Sequence, residues 1–225
     1  CLLIKDSLKL LLITDSYPPE IRSASHLMLE LSKELNSRGY QVTVITTWPE
    51  YNLNGNKEVR EFTEIEEEQG ISVIRIKTLP HHNINYLLRG IAQLLMPLQF
   101  LWKLWRYQVK VDACIIYSPP LTLAFVGIGL KIQGVKSLLN IQDLFPQNAI
   151  DLGVLRNPIQ IWFFRCIEII SYRFSDCITV HSEGNRHSIL KKYPDLTNKL
   201  KTLHNWTDLD HHQTGELGID FRKEW

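Results

Sequence analysis

The sequence lacks the short motifs by which many nucleotide-binding and hydrolytic enzymes are recognised. It contains neither G-x-G-x-x-G nor G-x-x-x-x-G-K-[ST], so a dinucleotide-binding glycine turn and a P-loop are both missing. It also contains no G-x-S-x-G, which disfavours an α/β-hydrolase. These absences set aside three common enzyme types before any strand or helix is assigned.

A large charge excess is also missing. The chain has 25 Lys and Arg against 24 Asp and Glu, so its formal net charge is +1 and we expect no nucleic-acid partner. The four cysteines show no C-x-x-C spacing, which favours reduced core residues in a cytoplasmic protein over a metal site. No signal peptide is expected, and prolines 119 and 120 interrupt the apolar run Ala113–Leu130, which disfavours a membrane span.

Apolar runs typical of buried strands alternate with helical patterns along most of the chain. This alternation predicts an α/β fold with a doubly wound, mainly parallel Rossmann-like sheet and helices on both faces. The domain spans residues 1–205, and the polar residues 206–225 are interpreted as an interdomain linker and the start of a second domain. The acidic run Glu64–Glu68 is interpreted as a solvated turn. The seven predicted strands are Lys9–Thr14, Gln41–Thr46, Ile71–Ile76, Val111–Tyr117, Lys136–Ile141, Asp176–Val180 and Lys199–Leu203.

Polar or proline-rich loops follow four of these strands, at residues 15–20, 118–120, 142–148 and 181–184. Because the carboxyl ends of parallel strands share one edge of a sheet, the four loops predict a binding cleft at that edge. Ordinary turn chemistry is the alternative for any single loop. The first loop leads into a helix that Ser23 or Ser25 can cap.

Two residues of this region are the candidates for catalysis. Asp143 ends a buried strand, where its carboxylate can accept a hydrogen bond from a sugar hydroxyl or hold a neighbouring donor; capping the following turn is the alternative. His26 lies in the first turn of a helix, where free backbone N–H groups favour anions; a plain helix-surface position is the alternative. Five further residues are predicted to line the cleft: Glu20, Ser23, Ser118, Gln142 and Ser182.

Two segments, residues 84–108 and 158–174, combine a helical pattern with aromatic and basic side chains. In one interpretation both are amphipathic helices packed on the sheet. In the other, part of their aromatic and basic face lies on an anionic membrane surface. Both interpretations can hold, since different faces of one helix can serve each purpose.

Five motifs, in order along the chain, resemble the N-terminal domain of glycosyltransferase family 4, which has the GT-B fold. The motif at residues 143–148, D-L-F-P-Q-N, is similar to the D-L-W-P-E-S of a bacterial subgroup that acts in surface polysaccharide assembly. The chain departs from the family where residues 21–25 replace a glycine-rich turn and where Gln142 replaces a His or Arg. The five motifs are Tyr17-Pro-Pro-Glu-Ile, residues 29–46, Ser118-Pro-Pro-Leu, residues 143–155 and His204-Asn-Trp-Thr-Asp.

The resemblance implies the acceptor-side half of an enzyme that transfers a sugar, with retention of configuration, from a nucleotide-sugar bound mainly by a second domain. The nucleotide-sugar is a co-substrate, and no cofactor or metal is expected. The subgroup resemblance implies a lipid-linked or growing polysaccharide acceptor. We therefore expect a cytoplasmic protein, peripheral on the inner face of the cell membrane, whose first half is inactive alone.

Two other functions compete with this one. The same fold can serve a non-catalytic carbohydrate-binding or assembly subunit, and donor-site residues further along the chain would distinguish the two. A nicotinamide-dependent sugar-nucleotide enzyme is disfavoured because the glycine fingerprint is missing.

Overall fold

The computed structural model describes residues 7–49, 62–79 and 86–207, with the side chains of the last range described from residue 90. Its strands form one sheet in the order β3-β4-β2-β1-β5-β6-β7-β8, parallel throughout except for the antiparallel pair β3–β4. The predicted α/β class and mainly parallel sheet are therefore confirmed. The strands are β1 (Lys9–Ile13), β2 (Gln41–Thr47), β3 (Ile65–Glu68), β4 (Ile71–Ile76), β5 (Ala113–Ser118), β6 (Lys136–Ile141), β7 (Cys177–Val180) and β8 (Leu200–Thr202).

Helices cover both faces of the sheet, so the predicted doubly wound arrangement is also confirmed. On one face α1 packs through Leu27 and Met28 on β1, β2 and β4. On the other face α2, α3 and α5 lie side by side, with α3 in contact with both neighbours. The helices are α1 (Ser23–Ser37), α2 (Tyr86–Arg106), α3 (Ala124–Leu130), α4 (Gln147–Asp151), α5 (Pro158–Phe174) and α6 (Glu183–Lys192).

The central strand β1 explains why the sheet forms as it does. Leu11, Leu12 and Ile13 are completely buried because they alternate between the two apolar layers. A strand buried on both faces reads as a continuous apolar run, which is typical of parallel sheets. The same run places the end of β1, and the loop that follows it, at the carboxyl edge of the sheet.

The interpretation of Glu64–Glu68 as a solvated turn is wrong. Residues 65–68 form the edge strand β3, which pairs antiparallel with β4 from Ile65 opposite Ile74 to Glu68 opposite Ile71. The buried guanidinium of Arg75 in β4 holds Glu66 at 3.2 Å and Glu68 at 2.8 Å. The acidic strand β3 is favourable because Arg75, on the neighbouring strand β4, pairs with its glutamates. The sequence of residues 64–68 alone does not reveal this cation.

The helix boundaries bring two further corrections. Ser23 is the first residue of α1, and the cap position belongs to Arg22, whose side chain makes no capping hydrogen bond. The apolar sequence of residues 121–133 predicts one helix, whereas the structure has a short α-helix, α3, with a turn of 3₁₀-helix at each end. At Gly127 an added Cβ would lie 2.6 Å from Cδ1 of Ile116, so this glycine allows α3 to approach the sheet closely.

Pro97 lies inside α2 without ending it, although it interrupts the sequence pattern. The buried face of α2 carries Met96, Phe100 and Leu104, which pack on the sheet. Within the described ranges, no helix is both long enough and apolar enough to span a bilayer.

Candidate functional site

A cleft of about 520 Å³ opens at the carboxyl edge of the sheet, where β1, β5, β6 and β7 end. Ligands of open α/β sheets bind at this edge because the loops that leave neighbouring strands converge there. The lining residues come from the start of α1, from the ends of three strands and from the segment after β8. They are Arg22, Ser23, Ala24, Leu27, Tyr117, Pro119, Gln142, Asp143, His181 and Asn205.

A larger hollow of about 640 Å³ lies at the opposite edge, where β2 and β4 begin. Its lining includes Gly39, Gly70, Ser72 and two glutamates of β3, Glu66 and Glu67. Among the described strands only the antiparallel edge strand β3 ends there, so the convergence of loops after parallel strands that makes a ligand site is missing from that edge. We therefore assign the candidate site to the smaller cleft.

Arg22 places a positive charge at the entrance to α1. Its Nη1 atom lies 3.2 Å from Oδ2 of Asp15 and 4.0 Å from Oε2 of Glu20, and both acids are buried. The two acids are themselves fixed, since Ser16 Oγ donates to Glu20 at 2.7 Å and Thr47 Oγ1 donates to the Asp15 carbonyl at 2.7 Å. Arg22 is therefore held at the cleft wall by ion pairs with Asp15 and Glu20, which lie behind it.

Tyr117 forms the floor of the cleft beside Leu27. Burial raises the pKa of its phenol to about 12, and the carboxylates of Asp15 and Asp143 act in the same direction, while Arg22 acts against them. Because the hydroxyl keeps its proton at neutral pH, Tyr117 can donate a hydrogen bond to a ligand.

Gln142 and Asp143 follow β6 at one side of the cleft. Gln142 donates from its amide nitrogen to Asn140 Oδ1 at 2.6 Å, and Asn140 donates in turn to Thr179 Oγ1 at 3.2 Å. This chain of amides fixes the orientation of Gln142. The side chain of Asp143 is exposed at the rim, where a carboxylate can accept hydrogen bonds from hydroxyl groups.

His181 and the segment after β8 close the other side. The carbonyl of His181 accepts a hydrogen bond from Nδ1 of His204 at 3.0 Å, and Asn205 lines the cleft next to it. Trp206 then donates from Nε1 to the carbonyl of Leu27 in α1 at 3.0 Å. The chain that leaves β8 is thereby tied across the cleft to α1.

Three of the seven site residues predicted from the sequence line this cleft: Ser23, Gln142 and Asp143. Glu20 lies behind the wall, where it holds Arg22. The other three are placed elsewhere. Ser118 is buried and its backbone carbonyl accepts from the Gln142 amide, Ser182 caps α6 by accepting from the Asn185 amide, and His26 is exposed on α1 with its Nε2 atom 2.9 Å from Glu30. The functional roles of all seven stay predictions.

Sequence reasoning missed four lining residues that carry polar groups: Arg22, Tyr117, His181 and Asn205. His181 lies in the predicted loop at residues 181–184, and Asn205 lies in the motif His204-Asn-Trp-Thr-Asp. Tyr117 is the last residue of a predicted strand. The only signal for Arg22 was its place between an acidic loop and the first helix. Over the described residues, no group of three or more His, Cys, Asp or Glu side chains is arranged to hold a metal ion.

A mainly parallel sheet with a cleft at its carboxyl edge, in a chain of this length, matches one half of a GT-B glycosyltransferase. Sucrose-phosphate synthase from Thermosynechococcus elongatus is similar over 90% of this chain and 49% of its own, with a TM-score of 0.64 at 14% identity. The catalytic domain of starch synthase IV from Arabidopsis thaliana, bound to ADP and acarbose, is similar over 91% and 52%, with a TM-score of 0.57 at 15% identity. The chain thus spans about half the length of these structures, which establish its fold.

The sequence model of the family described as "Glycosyl transferase 4-like domain" matches residues 24–205. The chain therefore belongs to this family, and the predicted resemblance is confirmed. No curated protein matches the chain by sequence.

Proposed function

We propose that this chain is the acceptor-side half of a glycosyltransferase that moves a sugar from a nucleotide-sugar to a lipid-linked or growing polysaccharide acceptor, with retention of configuration. The observation that carries the proposal is the cleft at the carboxyl edge, with the Asp143 carboxylate at its rim and the Tyr117 hydroxyl at its floor. Membership in the glycosyl transferase 4-like family supports sugar transfer as the reaction.

The first exit loop supports an acceptor role for this half. Pro18, Pro19 and Glu20 stand where a dinucleotide-binding fold has glycines, so the backbone N–H groups cannot form a close cradle for a pyrophosphate. In two solved structures of similar fold, one bound to ADP and acarbose and one bound with UDP-2-fluoro glucose, this chain matches about half of the length. A second domain would supply the site for the donor diphosphate.

Sugar binding tests the cleft directly. Acceptor-like oligosaccharides titrated into the chain should shift the NMR signals of Ser23 and His181. Asp143→Asn should weaken this binding by about 10- to 100-fold, the loss typical of a hydrogen bond to a charged group. The matched control is Asp195→Asn, an exposed acid outside the cleft, which should bind like the parent. Equal affinity of both variants would contradict the assignment of Asp143.

Activity assays test whether this chain binds the acceptor and a second domain binds the donor. The chain assayed with UDP-, ADP- and GDP-sugars should release no nucleotide, whereas a chain extended by a donor-binding domain should turn over. Turnover by the chain alone, at a rate comparable to a complete enzyme, would refute the proposal. Sugar binding without turnover in the extended chain would favour the alternative of a non-catalytic carbohydrate-binding subunit.

We also propose that the protein is peripheral on the inner face of the cell membrane, in the cytoplasm. Large apolar side chains are exposed along α2 and α5, which lie on the same face of the sheet on either side of α3. We call this set the aromatic surface. Its members are Leu98, Trp102, Trp105, Ile159 and Trp162, each more than half exposed.

Charge supports a membrane as the partner of the aromatic surface. Residues 86–110 contain four basic residues and no acidic one. Lys103 is engaged by Glu64 at 2.6 Å, whereas Arg106, which follows Trp105 in α2, and Lys110 are exposed. Exposed tryptophans beside basic residues suit the interface of an anionic bilayer, where each basic residue contributes roughly 1 kcal/mol.

Vesicle binding tests this proposal. The chain should bind phosphatidylglycerol-containing vesicles more tightly than neutral phosphatidylcholine vesicles, and salt should weaken that binding. The double substitution Arg106→Glu and Lys110→Glu should weaken it by at least about tenfold. Lys33→Glu, an exposed change on α1 at the opposite face of the sheet, is the matched control. Failure to bind anionic vesicles at low salt would refute the membrane role.

A further inference from the structure

Strand β6 carries a buried amide near its carboxyl end. Asn140 is 3% exposed, and it stands between two leucines and an isoleucine of the same strand. Asparagine is depleted in strands, and a buried amide is unfavourable unless its polar atoms are hydrogen-bonded. An apolar side chain would suit the strand better, so the amide at this position indicates a role beyond stability.

The hydrogen bonds of Asn140 connect the core to the cleft. The sheet pairs Asn140 with Thr179 of β7, and the Asn140 side-chain nitrogen donates to Thr179 Oγ1 at 3.2 Å. On its other side, Asn140 Oδ1 accepts from Nε2 of Gln142 at 2.6 Å. Thr179 is buried and lies outside the cleft lining, whereas Gln142 is part of that lining. We call Thr179, Asn140 and Gln142 the amide relay.

The backbone of Gln142 is fixed as well. Its N–H donates to the carbonyl of Ser118 at 2.9 Å, which continues the parallel ladder between β5 and β6 by one residue. Residues two apart in an extended chain lie on the same face of a sheet, so Gln142 and Asn140 share a face. Gln142 therefore loses much of its rotational freedom on folding, before any ligand binds.

The amide relay sets the orientation of the Gln142 amide group. Its nitrogen is turned toward the buried Asn140. The nitrogen and the oxygen of an amide diverge from one carbon atom, so Oε1 is directed away from Asn140. A carbonyl oxygen accepts hydrogen bonds and cannot donate them. The atom that Gln142 offers to the cleft is therefore an acceptor.

We infer that Gln142 accepts a hydrogen bond from one hydroxyl of the ligand, and that Asn140 and Thr179 are positioning residues that hold Oε1 toward it. The inference rests on the proposed sugar-binding function and assigns the polarity of one contact in that same cleft. A sugar hydroxyl can donate this bond. An ether oxygen or a fluorine atom only accepts, so neither can take the place of that hydroxyl.

Deoxyfluoro sugars test the polarity of this contact, because fluorine replaces a hydroxyl without being able to donate. Methyl glycosides of glucose, galactose, mannose and N-acetylglucosamine are titrated into the 225-residue chain beside their deoxyfluoro analogues. Binding is followed through the NMR signals of Ser23 and His181. For a sugar that binds, fluorine at the position facing Gln142 should weaken binding about 3- to 10-fold, the ratio for one neutral hydrogen bond.

Two variants of Gln142 identify which hydroxyl makes the contact. Gln142→Met keeps the length of the side chain without its amide, so the fluorine penalty at that one position should disappear. Gln142→Glu should keep the penalty, because a carboxylate accepts from a hydroxyl, and Asn140 can turn its own amide to donate to the new side chain. Fluorine at positions that face other groups should have the same effect in all three chains.

Variants of Thr179 test the positioning role from outside the cleft. Thr179→Val keeps the shape of the side chain but removes the acceptor of the Asn140 amide, so both amides of the relay can turn over. The fluorine penalty should then shrink, and the side-chain N–H groups of Gln142 should exchange faster with solvent. Thr179→Ser keeps the hydroxyl and is the matched control, which should behave like the parent. Circular dichroism should show the same fold for both variants.

The outcomes separate the inference from the proposed function. Fluorine penalties that are equal in the parent and in Gln142→Met at every position overturn the acceptor role and leave sugar binding intact. Loss of binding in Gln142→Glu also overturns it, since Gln142 would then be the donor. A penalty unchanged in Thr179→Val overturns the positioning role. If no sugar shifts the cleft signals of the parent, the proposed function fails and the inference fails with it.

Discussion

Removal of the Arg75 side chain should destabilise the fold far more than removal of an exposed arginine. Arg75 is 1% exposed, and its guanidinium contacts Glu66 at 3.2 Å, Glu68 at 2.8 Å and the carbonyl of Pro18 at 2.9 Å. Arg75→Ala leaves two carboxylates at the sheet edge without their cation and removes the donor to the Pro18 carbonyl. It therefore acts on the edge strand and on the first exit loop together.

The magnitude follows from the burial of the partners. Loss of one member of a buried ion pair costs about 3–5 kcal/mol. The side chains of Glu66 and Glu68 are 12% and 21% exposed, so water partly solvates them once the arginine is gone. We therefore expect the lower end, about 3 kcal/mol of unfolding free energy. With a urea slope of about 2–3 kcal/mol/M, the midpoint should fall by roughly 1–1.5 M.

Urea unfolding followed by circular dichroism measures this change. The matched control is Arg38→Ala, because Arg38 also pairs with a glutamate, Glu34 at 2.6 Å, but on the exposed surface of α1. That change should cost less than about 1 kcal/mol. Neutralising both acids as Glu66→Gln and Glu68→Gln in the Arg75→Ala background should recover part of the loss. If Arg75→Ala costs no more than Arg38→Ala, the proposed role of the buried pair is wrong.

Two further changes test the packing on the helical face of the sheet and the chemistry of a buried thiol. Gly127→Ala should destabilise the chain by about 1–2 kcal/mol, because the new methyl group would meet Ile116 in the core. Gly90→Ala in α2, with open space around the new methyl group, should stabilise the chain by up to about 1 kcal/mol. Thermal unfolding should therefore show a lower midpoint for the first variant and a higher midpoint for the second. Burial raises the pKa of the Cys114 thiol to about 12, so iodoacetamide at neutral to mildly alkaline pH should label the half-buried Cys166 in the native chain and label Cys114 after unfolding. The folded pKa of the Cys114 thiol lies above the unfolded value of about 8.5. The stability that the buried neutral thiol contributes is therefore fully present below about pH 8.5 and is lost as the pH rises toward 12. Labelling of native Cys114 as fast as Cys166 would contradict its burial.

Local sequence patterns determined the α/β class and most of the elements. All seven predicted strands are present within one or two residues of their predicted bounds. The physical reason is that a strand buried on both faces must be apolar throughout. Strands β1 and β2 can therefore be predicted from their own sequence, without knowledge of the strands beside them. The same reasoning located the carboxyl edge, because polar loops must follow buried strands that end at the surface of the sheet.

Tertiary structure decided the parts that depend on a partner far along the chain. The acidic segment before β4 became the strand β3 because the cation that pairs with it, Arg75, lies on the neighbouring strand. Arg22 became part of the site because Asp15 and Glu20 hold it against the cleft, and His181 because Asn185 orients its ring. The partners of these charged and polar side chains lie at other positions of the chain, so only folding brings the groups together. The sequence by itself therefore predicted the edge of the sheet at which the candidate cleft lies, and the fold decided which charged and hydrogen-bonding side chains line that cleft.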